Sequence, residues 1–155
     1  MSANGAGGRR APLVVGVGAP LRGDDAVGWA VVERLRRSPQ GALLDLREEQ
    51  QLAPELAADL AEVPAAAIVD ASVDLAPGVV RVARVASSPE RPGALSHSLD
   101  AGALVALAGS LYGRAAETWL VEVGAASFDL GAPLSSVVEG AVDEAAAAVI
   151  ARLLR

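Results

Sequence analysis

The sequence predicts an α/β domain built as a three-layer α/β/α sandwich, and three observations carry that prediction. Short apolar runs alternate along the chain with segments whose apolar residues recur at helical spacing. The first apolar run feeds straight into a glycine-rich turn, Gly16-Val17-Gly18-Ala19-Pro20-Leu21-Arg22-Gly23, followed by the adjacent acids Asp24 and Asp25. The chain has 155 residues, 52% hydrophobic and 21% charged, enough for one packed domain that buries about two thirds of its unfolded surface.

Taken in order, Met1 to Ala11 holds two arginines and several small residues and reads as a disordered tail. It lacks the apolar core of about 7–15 residues that a signal peptide needs. Residues 12–155 form the single domain. Val14 to Val17 is the first buried strand, and Asp25 to Arg37 the first helix, with Val27, Val31 and Leu35 on one face. Pro39-Gln40-Gly41 breaks it. Leu43 to Glu48 is a second strand, and Ala53 to Glu62 a second helix with Pro54 in its first turn and Leu56 and Leu60 facing inward. Pro64 stops that helix. Ala66 to Val69 is a short, wholly apolar strand ending on Asp70.

Pro77-Gly78 turns the chain into Val79 to Val85, whose arginines suit an edge strand, expected to run antiparallel. Ser87 to Gly93 is a loop with two prolines. Asp100 to Gly109 is the third helix, with Leu104 and Leu107 inward, and Thr118 to Val123 another core strand. After the loop Gly124 to Pro133, the last helix is expected to open on a capping box, Ser136-Val137-Val138-Glu139, and to run to the end.

Composition excludes several function classes. A net charge of −6 and a pI near 4.7 count against nucleic acid as a partner, which needs a basic face. No apolar run reaches the roughly 18 residues of a membrane span, so no membrane partner is expected and the cytoplasm is the expected location. Cysteine is absent, which removes disulfides, thiolate metal sites and a cysteine nucleophile. All thirteen basic residues are arginine, so there is no Schiff-base lysine and no phosphate-loop lysine. Imidazole chemistry has one source, His97.

Asp25, Asp70 and His97 each fall just after a core strand or in a loop leading to a helix. In a doubly wound sheet such loops converge on one edge. Two carboxylates and an imidazole are a donor set for zinc, nickel or manganese, and three ligands leave positions open for a substrate. Structural readings stand beside this one. Asp25 near a helix start gains about 0.3–1 kcal/mol from the dipole alone. Asp70 can cap a turn, and His97 between Ser96 and Ser98 can be a hydrogen-bonded loop residue. Asp24 and Asp25 are neighbours whose side chains diverge, which argues against a proton-sharing dyad. There is no G-x-S-x-G elbow for a serine nucleophile. A dinucleotide fingerprint would need glycine at Leu21, so a nucleotide-binding module is a lesser alternative.

The stretch Gly16 to Gly28 resembles the N-terminal motif of the nickel–iron hydrogenase maturation proteases. Ile68-Val69-Asp70-Ala71-Ser72 resembles their second motif, and Leu95-Ser96-His97-Ser98-Leu99 their third. The resemblance spans residues 12 to 153. It implies a mostly parallel five-stranded sheet and an endopeptidase that removes the C-terminal extension of a hydrogenase large-subunit precursor after nickel loading. It further implies that Asp25, Asp70 and His97 are the catalytic and metal-binding residues, reading nickel carried by the precursor, and that zinc or cadmium can occupy the same site. Asp24 is then expected behind the site, orienting a ligand or Arg22, with Gly16, Gly18 and Ala19 shaping the loop. Ala19 stands where the family usually has Asn, and Ala26 where it commonly has Gly. That departure keeps a non-catalytic precursor-binding maturation factor as the alternative to the enzyme.

Overall fold

The computed structural model describes residues 10–88 and 99–154. Five strands form one sheet: β1 (Leu13–Val17), β2 (Asp45–Glu49), β3 (Ala65–Ser72), β4 (Val80–Arg84) and β5 (Glu117–Gly124). Their spatial order is β2-β1-β3-β5-β4. β2, β1, β3 and β5 are parallel, and β4 closes one edge antiparallel to β5. The predicted sandwich, its mostly parallel five-stranded sheet and its antiparallel edge strand are all present.

The helices are α1 (Val27–Arg36), α2 (Leu56–Glu62), α3 (Ala101–Tyr112), α4 (Ser136–Glu139) and α5 (Val142–Leu153). Strand residues alternate between faces, so Val14, Val69, Val121 and Val123 meet Val31, Leu35, Ala145 and Val149 of α1 and α5. Leu13, Val15 and Ile68 project the other way, onto Leu56 and Leu60 of α2 and Leu104 of α3. Each face of the sheet thus carries its own apolar core, which is why the parallel strands read as nearly unbroken apolar runs.

Local chemistry moves several boundaries. Residues 23–26 form a 3-10 turn, so the first helix starts at Val27 and Asp25 precedes it. Pro39–Leu43 is a second 3-10 turn capped by Ser38, whose hydroxyl accepts from the Gly41 N–H. Pro54 sits in a turn ahead of α2 rather than inside it, because the amides of Leu56 and Ala57 bond three residues back. Asp100 caps α3 by accepting from the Ala103 N–H at 2.7 Å, and Gly113 ends it with φ 79°. The expected capping box does not form. Ser135 takes the cap position, its hydroxyl is turned to Asp24, and the helix breaks after Glu139 before resuming at Val142.

The third strand is longer than its apolar run, and Asp70 lies within it rather than at its end. β1 stops pairing with β3 at Val69, while β5 continues alongside to Ser72. Asp70 is therefore a strand residue with β5 on one side and no β1 partner on the other. Among the described residues no helix is long and apolar enough to cross a membrane.

Candidate functional site

From β1 the chain moves outward to β2, then crosses back over β1 to reach β3. The carboxyl ends of β1 and β3 are thus the point where the winding reverses, and in open α/β sheets that crevice is where ligands bind. A cavity of about 370 Å³ opens there, lined among others by Gly18, Asp25, Gln50, Asp70, Asp100 and Glu122.

Glycine makes the approach possible. A Cβ on Gly16 would overlap the Gly28 carbonyl, and one on Gly28 would overlap the Val69 carbonyl. The start of α1 therefore rests directly on the backbone of β1 and β3. Gly18 has φ 147°, and a Cβ there would run into the Asp25 carbonyl. The turn folds back on itself at that point. As a result the Ala19 N–H donates to Asp25 Oδ2 at 2.8 Å, fixing the carboxylate at the mouth of the cleft. That contact uses backbone, so alanine at position 19 supplies it as well as asparagine would.

Asp70 is half-buried on the neighbouring strand, and the Ala71 N–H donates to its Oδ1 at 2.8 Å. Burial pushes its pKa up to about 6; the Ala71 bond works against this, and the nearby charges of Asp25 and Glu122 add to it. Glu122 is the site residue that the sequence reading missed. It is the register partner of Asp70 on β5, lines the same cavity, and is ion-paired to Arg81 of β4 at 2.5 Å.

Asp24 does something other than expected. It is fully buried, and its carboxylate is directed away from the cleft. Ala126 and Ser127 donate backbone N–H bonds to Oδ2 at 2.8 and 3.0 Å, and the Ser135 N–H donates to Oδ1 at 2.7 Å. The Ser135 hydroxyl lies 2.8 Å from Oδ2 and 3.0 Å from Oδ1. Burial alone would raise the pKa of this carboxyl, but the bonds from Ser135, Ala126 and Ser127 outweigh it and hold the group below the usual carboxylate range. The expectation that Asp24 orients a ligand or Arg22 is thus corrected: its acceptor sites are taken by the 126–135 loop. Arg22 contributes backbone, accepting from the Asp25 N–H and donating to the Ala19 carbonyl.

Of the three residues expected to meet, the structure brings Asp25 and Asp70 to one cavity, and His97 lies outside the described residues. Leu99 and Asp100, the first described residues beyond it in sequence, line that cavity. Among the described residues, no group of three or more His, Cys, Asp or Glu side chains is arranged to hold a metal ion. The two carboxylates nonetheless fit a cation chemically. They are oxygen donors, and the repulsion that raises Asp70 is what a positive charge between them would relieve. The same acidity is unfavourable for a phosphate-bearing nucleotide.

Fold and site together define an α/β domain with paired carboxylates at the switch point of its sheet. No protein-family model matches the sequence, and no curated protein does. Solved structures do. The hydrogenase-maturating endopeptidase HybD from Escherichia coli is 25% identical, covers 93% of this chain and 92% of its own, and superposes with a TM-score of 0.73. A nickel–iron hydrogenase maturation protease, HycI from Thermococcus kodakarensis KOD1, shares the fold at 19% identity over 96% of both chains, TM-score 0.70. A hydrogenase 2 maturation peptidase from a Thaumarchaeota archaeon does so at 24% identity over 93% of this chain and 98% of its own, TM-score 0.70. The chain thus shares its fold with nickel–iron hydrogenase maturation proteases over nearly its whole length.

Proposed function

We propose that this chain is an endopeptidase that removes the C-terminal extension of a nickel-loaded hydrogenase large-subunit precursor, with Asp25, Asp70 and His97 as the residues that read the precursor's nickel. The observation that carries this reading is the meeting of Asp25 and Asp70 in one cleft at the switch point of the sheet. The nickel arrives with the substrate and, when bound, would polarise the scissile carbonyl or lower the pKa of a water towards ~7.

The residues of the chain have separable tasks. Asp25, with one oxygen held by the Ala19 N–H, offers its other oxygen to the incoming cation. Asp70, raised to about 6, is close to the pH at which a carboxyl can either bind a cation as the anion or hold a proton. Glu122 keeps the far wall negative while Arg81 neutralises part of that charge. His97 supplies the one imidazole in the chain.

The test is a processing assay on nickel-loaded precursor with D25N, D70N and H97A. Each is expected to stop release of the C-terminal peptide. Full cleavage by D25N and H97A would overturn the assignment, and precursor binding without cleavage by the unaltered chain would favour a non-catalytic maturation factor.

A further inference from the structure

We infer that Asp24 is a positioning residue: its buried carboxylate latches the 126–135 loop onto the β1–α1 turn and thereby holds Asp25 in its orientation toward the cleft. The argument starts from cost. A carboxylate removed from water needs its acceptor sites filled, and Asp24 has them filled by three backbone N–H groups and one hydroxyl, all from a single loop. The attachment is reciprocal, since the Asp24 N–H donates to the Ser127 carbonyl at 2.9 Å. Gly23, at φ 57°, lies so close to that carbonyl that a Cβ would sit 2.8 Å from it. A second strut lies further out, where the Gly131 N–H donates to the Leu21 carbonyl at 2.7 Å.

Asp25 is the next residue in the same 3-10 turn, which is too short to be rigid alone. Its carboxylate is held by Ala19 on one side of the turn, and the turn is anchored by Asp24 on the other. Two adjacent acids therefore divide the work: Asp24 fixes the turn to the body of the protein, and Asp25 is presented by it. Asp24→Asn keeps the volume but sets an NH2 group against loop N–H donors, leaving at least one buried donor unmatched.

The experiment follows amide hydrogen exchange in the full chain, alongside processing kinetics that rest on the function proposed above. In D24N, exchange of the Ala19 N–H and of the Ala126, Ser127 and Ser135 amides is expected to accelerate about tenfold or more relative to the Val69 and Val121 amides of the sheet. The Trp29 indole N–H, bonded to the Glu49 carbonyl at 3.0 Å, is expected to keep its protection. The kcat for processing is expected to fall on the order of tenfold to a hundredfold with little change in KM. Equal acceleration at every site would mean that Asp24 is merely structural, and unchanged exchange at Ala19 would overturn the inference outright. Ser135→Ala, which removes only the hydroxyl, serves should D24N not fold; a smaller acceleration at Ala19 is expected, and none would overturn the inference. Because exchange is read without substrate, a chain that never processes precursor yet shows the Ala19 response would refute the proposed function and leave the latch standing.

Discussion

Asp70 and Glu122 are direct register partners across β3 and β5, and both carboxylates face one cleft, yet their surroundings differ. Glu122 has the Arg81 guanidinium beside it, whereas Asp70 accepts from the Ala71 N–H and feels the negative charge of Asp25 and Glu122. Desolvation and repulsion together make the ionised form of Asp70 costly. That cost is one that a positive charge between the carboxylates would relieve.

That cost has a definite sign in pH. The folded pKa of Asp70, about 6, lies above its ordinary value of 3.8, so its contribution to stability is present in full below 3.8 and is lost as pH rises through 6. At neutral pH the ionised group costs at most about 3 kcal/mol. Asp70→Asn, which keeps an acceptor for the Ala71 N–H, is expected to be more stable than the unaltered chain at pH 7.5 and equal to it near pH 3. Urea denaturation at the two pH values checks this, and a gap that fails to close at the acid end would show another cause.

The charges around Asp70 can be removed one at a time. Asp25→Asn and Glu122→Gln are each expected to lower the pKa of Asp70 from about 6, and the Asp25 variant more so, because Asp25 contributes the larger repulsion. A carboxyl-carbon NMR titration of Asp70 reads both. An unchanged midpoint in the two variants would mean that desolvation alone sets it.

The Arg47 cluster makes a prediction away from the cleft. Arg47 donates to Asp59 at 3.0 Å and to Asp45 at 2.8 Å, and Arg10 joins the same group through Asp59 at 3.2 Å and Glu62 at 2.8 Å. The side-chain bonds to Asp45 and Asp59 raise the pKa of Arg47, so it stays charged throughout. Such linked, partly exposed pairs exceed isolated surface bridges only modestly. Arg47→Met is expected to cost about 1 kcal/mol in low salt and less at high ionic strength. Thermal melts at the two salt concentrations test it.

How much of this was legible in the sequence depends on how far apart the interacting residues are. Asp25 and Asp70 could be read because each follows an apolar run whose end the pattern marks, and strand ends in such a sheet share an edge. Glu122 was not read, because one acid in the strand Thr118 to Val123 looks like the polar side of an alternating strand. Its place in the cleft follows from register with β3, which no local pattern encodes. The role of Asp24 was hidden for the same reason, since its partners lie 102 to 111 residues away. The capping box failed by a single residue: Ser135 and Ser136 are alike in sequence, and it is Asp24 that selects Ser135.

Gly28 offers the sharpest test of how the fold makes the site. It lies in the first turn of α1, where alanine would ordinarily be the better helix former by roughly 0.8–1 kcal/mol. Propensity alone therefore predicts that Gly28→Ala stabilises. The packing predicts the reverse, because the added Cβ would overlap the Val69 carbonyl and sit 2.8 Å from both the Val17 nitrogen and oxygen, all of them backbone atoms that cannot swing aside. Overpacking of this kind costs about 1–3 kcal/mol, which exceeds the propensity gain. The strain falls where β1 and β3 separate, so relief requires α1 to lift from the sheet and to carry the Asp25 turn with it. Gly28→Ala is therefore expected to lower stability by about 1–2 kcal/mol net and to weaken processing of precursor beyond what the folded fraction explains. Denaturation and processing rates measured on one preparation separate the two effects, and a more stable variant of unchanged activity would show that the start of α1 does not rest on β3 as described.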